Sequence, residues 1–415
     1  MPETTLSRRQ WGIVFLIAAV QFINILDFVM VMPLGPDFAH ALGIDESLLG
    51  YVGGAYTAAA CLSGLAGSLF LDRFDRRKAL AVAMLGLVAG TAAGGLAFDL
   101  PTLLLARVLA GAFGGPATSL SLSIIADSIP AHLRGRAMGT VMGAFSLASV
   151  LGVPAGLWFA EHFGWRSPFL ATAALGLVVC GAAIFMLPPM TGHLERAAGQ
   201  PPPRSMELLR DGLVLNSYTM TAVVMMAGFI IIPNIASYAQ LNLGFPREQL
   251  KWGYGLGGVA SLLATQSGGR LVDRFGSFRV AVFASVCQAT LLYAAFYLQH
   301  PSLPVTAVLG VFVGFMTFNG LRNVAYNTLT IRVPPPALRA RFTSMQSAVQ
   351  HGASALAAFG SSVLLSTVGD GESRRLTGMP LVALTSIALT ALVPLLILQV
   401  ERGVRGRAAL QEAAP

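Results

Sequence analysis

Twelve runs of about twenty apolar residues, separated by short polar stretches, leave this chain few folds to choose from. A helix rising about 1.5 Å per residue needs about 20 such residues to cross a hydrocarbon layer of about 30 Å. The runs cover 11–33, 49–71, 79–99, 101–126, 137–161, 167–188, 213–240, 252–272, 278–299, 304–331, 341–367 and 378–400. Composition agrees, since 55% of the 415 residues are hydrophobic and 11% are charged, against roughly 25% charged in soluble proteins. A chain this poor in charge needs lipid around it, and one this rich in apolar residues is not intrinsically disordered. The first run is too long for a signal peptide and lacks a small-residue cleavage site, so it reads as a spanning helix. The expected fold is an all-α integral membrane protein whose twelve transmembrane helices form two pseudo-symmetric six-helix bundles.

Between the sixth and seventh runs lies the longest connection, which carries three consecutive prolines and several charges that no hydrocarbon core accepts. It divides the chain into a bundle at 1–189, a linker at 190–212, a second bundle at 213–400 and a tail at 401–415. With both termini cytoplasmic, 20 basic residues fall inside and five outside, while Arg107 and Arg322 lie within spans. That bias sets the expected orientation by the positive-inside rule, and it explains the net charge of +8 without a nucleic-acid partner. Cys61, Cys180 and Cys287 each sit in an apolar run and imply neither a disulfide framework nor a metal site. The expected location is the cell (inner) membrane, multi-pass.

The halves repeat. Ser68-Leu-Phe-Leu-Asp72-Arg73-Phe-Asp-Arg76-Arg77 after the second span matches Gly269-Arg-Leu-Val-Asp273-Arg274-Phe-Gly276 after the eighth, at an offset of 201. Pro130-Ala-His-Leu-Arg134-Gly-Arg136 matches Pro335-Pro-Ala-Leu-Arg339-Ala-Arg341 at an offset of 205. At these residues the chain resembles the major facilitator superfamily, and within it the twelve-span drug:proton antiporters, over essentially its whole length. The family's G-x-L-x-D-R-x-G-R-R/K motif is matched by Asp72, Arg73, Arg76 and Arg77, with Ser68 and Asp75 in place of its glycines; the second copy keeps both as Gly269 and Gly276. The resemblance implies a cytoplasmic gate in which Asp72 docks near the start of the eleventh span and Asp273 near the fifth, with Arg73, Arg76, Arg77, Arg134, Arg274 and Arg339 around them. In the fourth span, Arg107 through Gly111 is similar to the family's R-x-x-q-G with Ala110 replacing glutamine. In the fifth, Gly152, Pro154 and Gly156 form a degenerate G-x-P-x-G, similar to sugar-efflux and chloramphenicol-resistance-like members, whose glycines let helices approach closely.

Charges inside spans carry the transport chemistry, because each is expensive there and needs a partner or a role. Asp27 is the one acid well inside a span, on a face shared with Gln21 and Asn24, and it lies level with Arg107. A carboxylate in low dielectric is driven toward its protonated form while a nearby arginine favours the charged one, so the pair is expected to be a proton switch, the simpler readings being a static buried ion pair or an Asp27 accessible to water. The tenth span presents Asn319, Arg322, Asn323 and Tyr326 as a polar stripe; the eleventh adds Gln346, Gln350 and His351, and the seventh adds Asn234 and Tyr238. These, with Asn24, are the substrate-binding candidates, and interhelical hydrogen bonding is their simpler reading. Two arginines against one aspartate favour an anionic, zwitterionic or hydroxyl-rich solute.

Neither a P-loop nor a catalytic nucleophile motif is present, and the glycines at 253, 255, 257 and 258 follow no strand, so ATP-driven and enzymatic chemistry have no support. No cofactor or metal is expected. The leading expectation is a monomeric secondary transporter that exports a small amphiphilic molecule against protons by alternating access. A symporter importing an organic anion or sugar-like metabolite has the same architecture, and a non-transporting receptor or assembly protein of this fold is the alternative of another class.

Overall fold

A computed structural model describes residues 6–130, 132–191, 206–297, 304–334, 338–369 and 373–412. The first half builds α1 (Arg8–Met30), α2 (Gly35–Leu42), α3 (Leu49–Phe70), α4 (Arg76–Gly95), α5 (Leu100–Ser128), α6 (Arg134–Leu147), α7 (Val153–Phe163) and α8 (Ser167–Met186). The second builds α9 (Met206–Arg210), α10 (Gly212–Phe229), α11 (Ile235–Leu243), α12 (Leu250–Phe275), α13 (Ser277–Phe296), α14 (Val305–Thr330), α15 (Arg339–Leu364) and α16 (Met379–Glu412).

Helix starts follow from local chemistry. Ser7 and Gln10 cap α1 reciprocally, and Asp99 with Thr102 does the same for α5, whose Pro101 sits where no amide donor is needed. Asp75 accepts the Arg77 amide at 2.8 Å and so starts α4. Asp211 caps α10 while Arg407 from α16 grips the same carboxylate at 2.8 and 2.9 Å.

Two spans depart from the expected continuous helix. The fifth is α6 and α7 joined through a π-helical turn, Ala148–Gly152, just ahead of Pro154; such a bulge absorbs the residue that a proline would otherwise strain. The seventh breaks into α10 and α11 across 230–234, because Pro233 cannot donate to the helical ladder. A short antiparallel hairpin, β1 (Ser366–Val368) and β2 (Arg375–Thr377), follows α15 and is the one β element among the described residues, an exception to the all-α expectation. Asn242 holds it to α11 by accepting from the Leu376 amide and donating to its carbonyl, both at 3.0 Å.

Of the twelve expected spans, ten are, among the described residues, helices both long and apolar enough to cross a membrane. α12 and α15 fall outside that set, as Lys251, Arg270, Asp273 and Arg274 occupy the first and Arg339, Gln346, Gln350 and His351 the second. Outward-facing side chains are apolar, with Phe185 88% and Val363 74% exposed, which suits lipid and not water.

The chain forms two compact units, residues Met1–Ile44 with Ala55–Pro202, and Asp45–Gly54 with Pro203–Pro415. In the first, Ile17, Leu87 and Ile124 belong to one buried apolar cluster, and in the second Val224, Ala281 and Ile397 belong to another. The short stretch Asp45–Gly54 belongs to the second unit through side chains: Thr367 donates to Asp45 at 2.6 Å, and Glu46 pairs with Arg374 at 2.8 Å.

Candidate functional site

Asp27 on α1 and Arg107 on α5 meet inside the first unit. Arg107 Nη1 donates to both carboxylate oxygens, at 3.0 and 3.1 Å, and the side chains are 0% and 1% exposed. Thr91 on α4 donates to the same carboxylate at 2.8 Å. The guanidinium lies 4.7 Å from the centre of the Tyr56 ring, a cation–π contact that helps an arginine dispense with water. Tyr56 in turn donates to Asn24 Oδ1 at 2.6 Å, and the Asn24 amide donates to Thr118 at 2.7 Å and to the Gly114 carbonyl at 3.0 Å. Four helices thus share one closed network around a single charge pair.

Glycine makes that closeness possible. A Cβ at Gly111 would stand 2.1 Å from the Tyr56 carbonyl oxygen, a backbone atom that cannot move aside alone. At Gly152 it would meet the flexible end of Leu26 at 2.6 Å, and at Gly156 nothing nearer than 3.8 Å. Of the three glycines, Gly111 is therefore the one whose backbone contact positions the network.

The second unit encloses a different arrangement. Arg322 on α14 is wholly buried, yet its hydrogen-bond partners are neutral: Asn319 at 2.7 Å, Thr390 at 3.1 Å and the Val224 carbonyl at 3.5 Å. Its Nε has no hydrogen-bond partner among the described residues. Nearby on α14, Tyr326 accepts from Gln350 at 2.9 Å, and Asn323 Oδ1 lacks a hydrogen-bond partner among the described residues. Asn234, at the break between α10 and α11, donates to Ser361 at 2.9 Å, and the Tyr238 ring packs 5.0 Å from that of Phe296. Gln346 is buried and His351 half-buried on α15. These side chains occupy several places in the second unit, and no one hydrogen-bond network among the described residues joins them all.

At the basic loop of the first unit, Arg76 Nε lies 2.9 Å from Asp127 Oδ2, Arg77 reaches the Leu187 carbonyl at 3.3 Å, and Arg134 caps α5 through the Ile129 carbonyl at 3.0 Å. Arg73 and Arg339 are exposed. The side chain of Asp72 lies outside the described residues. In the second copy Asp273 and Arg274 are exposed, with Arg274 5.2 Å over the Phe275 ring, and Gly269 has open space around it. Asp75 stands in for a family glycine because its φ is −53°, whereas the matching Gly276 has φ +84°.

Several participants carried no signal in sequence. Tyr56, Thr91 and Thr118 are single polar groups within apolar runs, and only the fold reveals what they face. Thr390 and Gln288 are similar, the latter buried with both amide atoms unpartnered among the described residues. Asp127 had a readable sign, an acid at the end of an otherwise apolar span.

The sequence profile described as Major Facilitator Superfamily matches residues 17–358. The chain belongs to the major facilitator superfamily. Members of this superfamily are transporters and not enzymes. The chain is 30% identical over 250 residues to Inner membrane transport protein YdhP of Escherichia coli (strain K12), a match covering 58% of this chain and 62% of that protein. Among solved structures it is similar to a bacterial homolog of the human lysosomal transporter Spinster, at TM-score 0.75 and 15% identity over 96% of this chain and 98% of that one. It is also similar to the D-xylose-proton symporter, at TM-score 0.72 and 17% identity over 93% and 97% of the two chains. At such identities these structures show a shared fold: all-α, multi-pass and membrane-embedded.

Proposed function

We propose that the chain is a secondary transporter of the inner membrane that exports a small amphiphilic molecule in exchange for protons. The Asp27–Arg107 pair carries this reading: a carboxylate whose two oxygens share one guanidinium nitrogen at 3.0 and 3.1 Å, shut away from water and joining α1 to α5. Removing each ion from water costs several kcal/mol, so the pair persists only while both partners are in reach. A movement that separates the helices leaves Asp27 without its countercharge, and taking a proton is then cheaper than remaining a bare anion. Proton uptake and helix movement thereby become one step, which is what coupling requires.

On the other side of the exchange, Arg322 with Asn319, Asn323 and Tyr326 receives the polar portion of the solute. The support is that Arg322 is buried with neutral partners and an unused Nε donor. Substrate export works by alternating access of the two bundles, the protein acting as a monomer with its basic loops and both termini on the cytoplasmic side.

The test begins with a thermal-shift panel of amphiphilic carboxylates, sugars and antibiotics on the purified protein. Proteoliposomes loaded with the strongest stabiliser and a lumenal pH dye are then diluted into solute-free buffer. Exchange predicts that solute efflux acidifies the lumen, whichever way the protein is inserted. Alkalinisation would instead mean symport, and solute efflux with no pH change would remove protons from the cycle.

A further inference from the structure

The two copies of the repeated loop end in different structures. In the first, Arg76 and Asp127 close the gap at 2.9 Å. At the same repeat offsets, Ser277 stands where Arg76 would be and Arg332 where Asp127 would be, so the acid of that pair has become a base. Among the described residues the second unit shows no such bridge at these positions. A cavity of about 230 Å³ lies there, lined by Asp273, Ser277, Thr328, Arg332, Glu401 and Arg405. A wider hollow of about 610 Å³ shares Asp273, Glu401 and Arg405 with it and adds Arg279, Arg402 and Phe275 to the wall.

Four arginines therefore face two carboxylates. Glu401 is already committed, since it accepts the Phe278 amide at 3.3 Å and pairs with Arg405. Arg279, Arg332 and Arg402 are exposed and make no ion pair among the described residues. Phe275, 44% exposed, supplies an apolar margin. The hollow lies at the basic end of α13 and α16, and both helices continue away from it with exposed apolar side chains: Phe283 and Val286 on one, Leu392 and Leu395 on the other. α16 has 34 residues, about 51 Å at about 1.5 Å per residue, so its last turns run beyond a hydrocarbon layer of about 30 Å. Glu401 and Arg405 lie in the part of α16 that such a length carries toward the membrane surface, beside exposed apolar side chains.

We propose that this hollow binds the phosphodiester of an anionic phospholipid, held by Arg279 and Arg402, with the chains running down the α13–α16 face past Phe275. Arginine suits the role because its planar fork matches phosphate oxygens. Basic pockets between helices at the membrane surface are a recurrent form of lipid headgroup site. A soluble anion would use the same guanidiniums but has no need of the apolar face below them.

Thermal unfolding of the detergent-purified, delipidated protein tests this with added phosphatidylglycerol, phosphatidylcholine or inorganic phosphate. Phosphatidylglycerol is expected to raise the midpoint by several degrees through preferential binding to the folded state, and phosphatidylcholine to do much less. The double variant Arg279→Gln, Arg402→Gln should bind phosphatidylglycerol on the order of tenfold more weakly or worse. Arg279→Lys with Arg402→Lys should keep part of the shift, and it serves as the readout if the glutamine pair folds poorly. Arg375→Gln, an exposed arginine on β2, should keep all of it. A full shift in the glutamine variant, equal shifts from both lipids, or the same shift from phosphate alone would each overturn the lipid site.

Discussion

Each half of this protein buries one arginine within its helices, and the two are satisfied in opposite ways. Arg107 has a carboxylate whose two oxygens both accept from its Nη1, a threonine bound to that carboxylate and an aromatic ring alongside. Arg322 has an asparagine, a threonine and a carbonyl, and the Nε of each arginine lacks a hydrogen-bond partner among the described residues. Both forgo hydration, which costs several kcal/mol per ion, but only the first recovers it from an opposite charge. A neutralised pair can be switched by a proton. A cation left with neutral acceptors is suited to a negative group that arrives and leaves. Under the proposed exchange the halves would divide the work, protons to the first and solute to the second.

The sharpest way to break that comparison is to orphan one member of the pair. Asp27→Ala leaves Arg107 buried without its countercharge and should cost about 3–5 kcal/mol, as should Arg107→Ala for the converse reason. Asp27→Leu combined with Arg107→Met should restore most of the stability while leaving no group to take a proton. Equilibrium unfolding in mild detergent measures the first effect, and uphill transport under a pH gradient the second. Isosteric Asp27→Asn should insert normally yet lose proton-driven transport; uphill transport with unchanged pH dependence in that variant would rule out the switch.

Arg322 should respond with the opposite sign. Arg322→Met removes a buried cation that lacks a carboxylate, so stability is expected to stay level or rise by about 1–4 kcal/mol, with transport lost. Binding of an anionic solute should weaken by about 1.5–3 kcal/mol, and Arg322→Lys should recover part of it. Titration calorimetry and thermal melts on the same preparations separate the two readouts. An Arg322→Met protein as unstable as Asp27→Ala would show the arginine to be a structural clamp.

A smaller effect should come from the glycine beside each arginine. Gly111→Ala drives a Cβ into the Tyr56 carbonyl at 2.1 Å, forcing α3 and α5 apart and carrying the ring off Arg107; about 1–3 kcal/mol is expected. A Cβ at Gly228 meets Asn319 at 3.4 Å and Arg322 at 3.8 Å, ordinary contacts. Gly228→Ala should therefore be neutral or gain up to about 1 kcal/mol from helix propensity. Parallel denaturant titrations of the two variants would show whether only the first half is built around close backbone approach.

Much of this was legible before any coordinates. Runs of hydrocarbon thickness, the repeated Asp-Arg turns and the biased arginines specify a duplicated six-helix membrane fold, because those signals are set by the bilayer itself. Asp27 and Arg107 could be matched in depth by counting residues from the ends of their spans, and they lie 3.0 Å apart. Depth does not fix rotation, however, so nothing in the spacing foretold that Tyr56, Thr91 and Thr118 turn toward them. The break at 230–234 was hidden for a similar reason: proline is tolerated inside membrane helices, so Pro233 alone does not announce a break. The β1–β2 hairpin, two strands of three residues each, is too short for any periodic pattern to announce.

The smallest effect concerns a carboxylate that should not take part in coupling, and it guards the comparison against a misread pH profile. Burial pushes the Asp45 carboxyl up, but hydrogen bonds from Ser47 and Thr367 and the nearby Arg374 outweigh it and hold the group below its usual range. A carboxyl whose folded value is depressed adds stability above its unfolded value, near 3.8, and loses that contribution as pH falls through the lower folded value. The attachment of Asp45 to the hairpin should accordingly be constant from neutrality down to about pH 5 and weaken only in stronger acid. Asp45→Asn should lower the melting midpoint slightly at neutral pH and flatten the acid limb, and Thr367→Val should do part of the same. Transport by either variant should keep the pH dependence of the parent protein, because Asp27 remains intact. Melting curves taken from pH 7 to pH 3 beside flux measurements would decide it: a transport profile that moved with Asp45→Asn would place the titrating group at the hairpin and take it away from the Asp27–Arg107 pair.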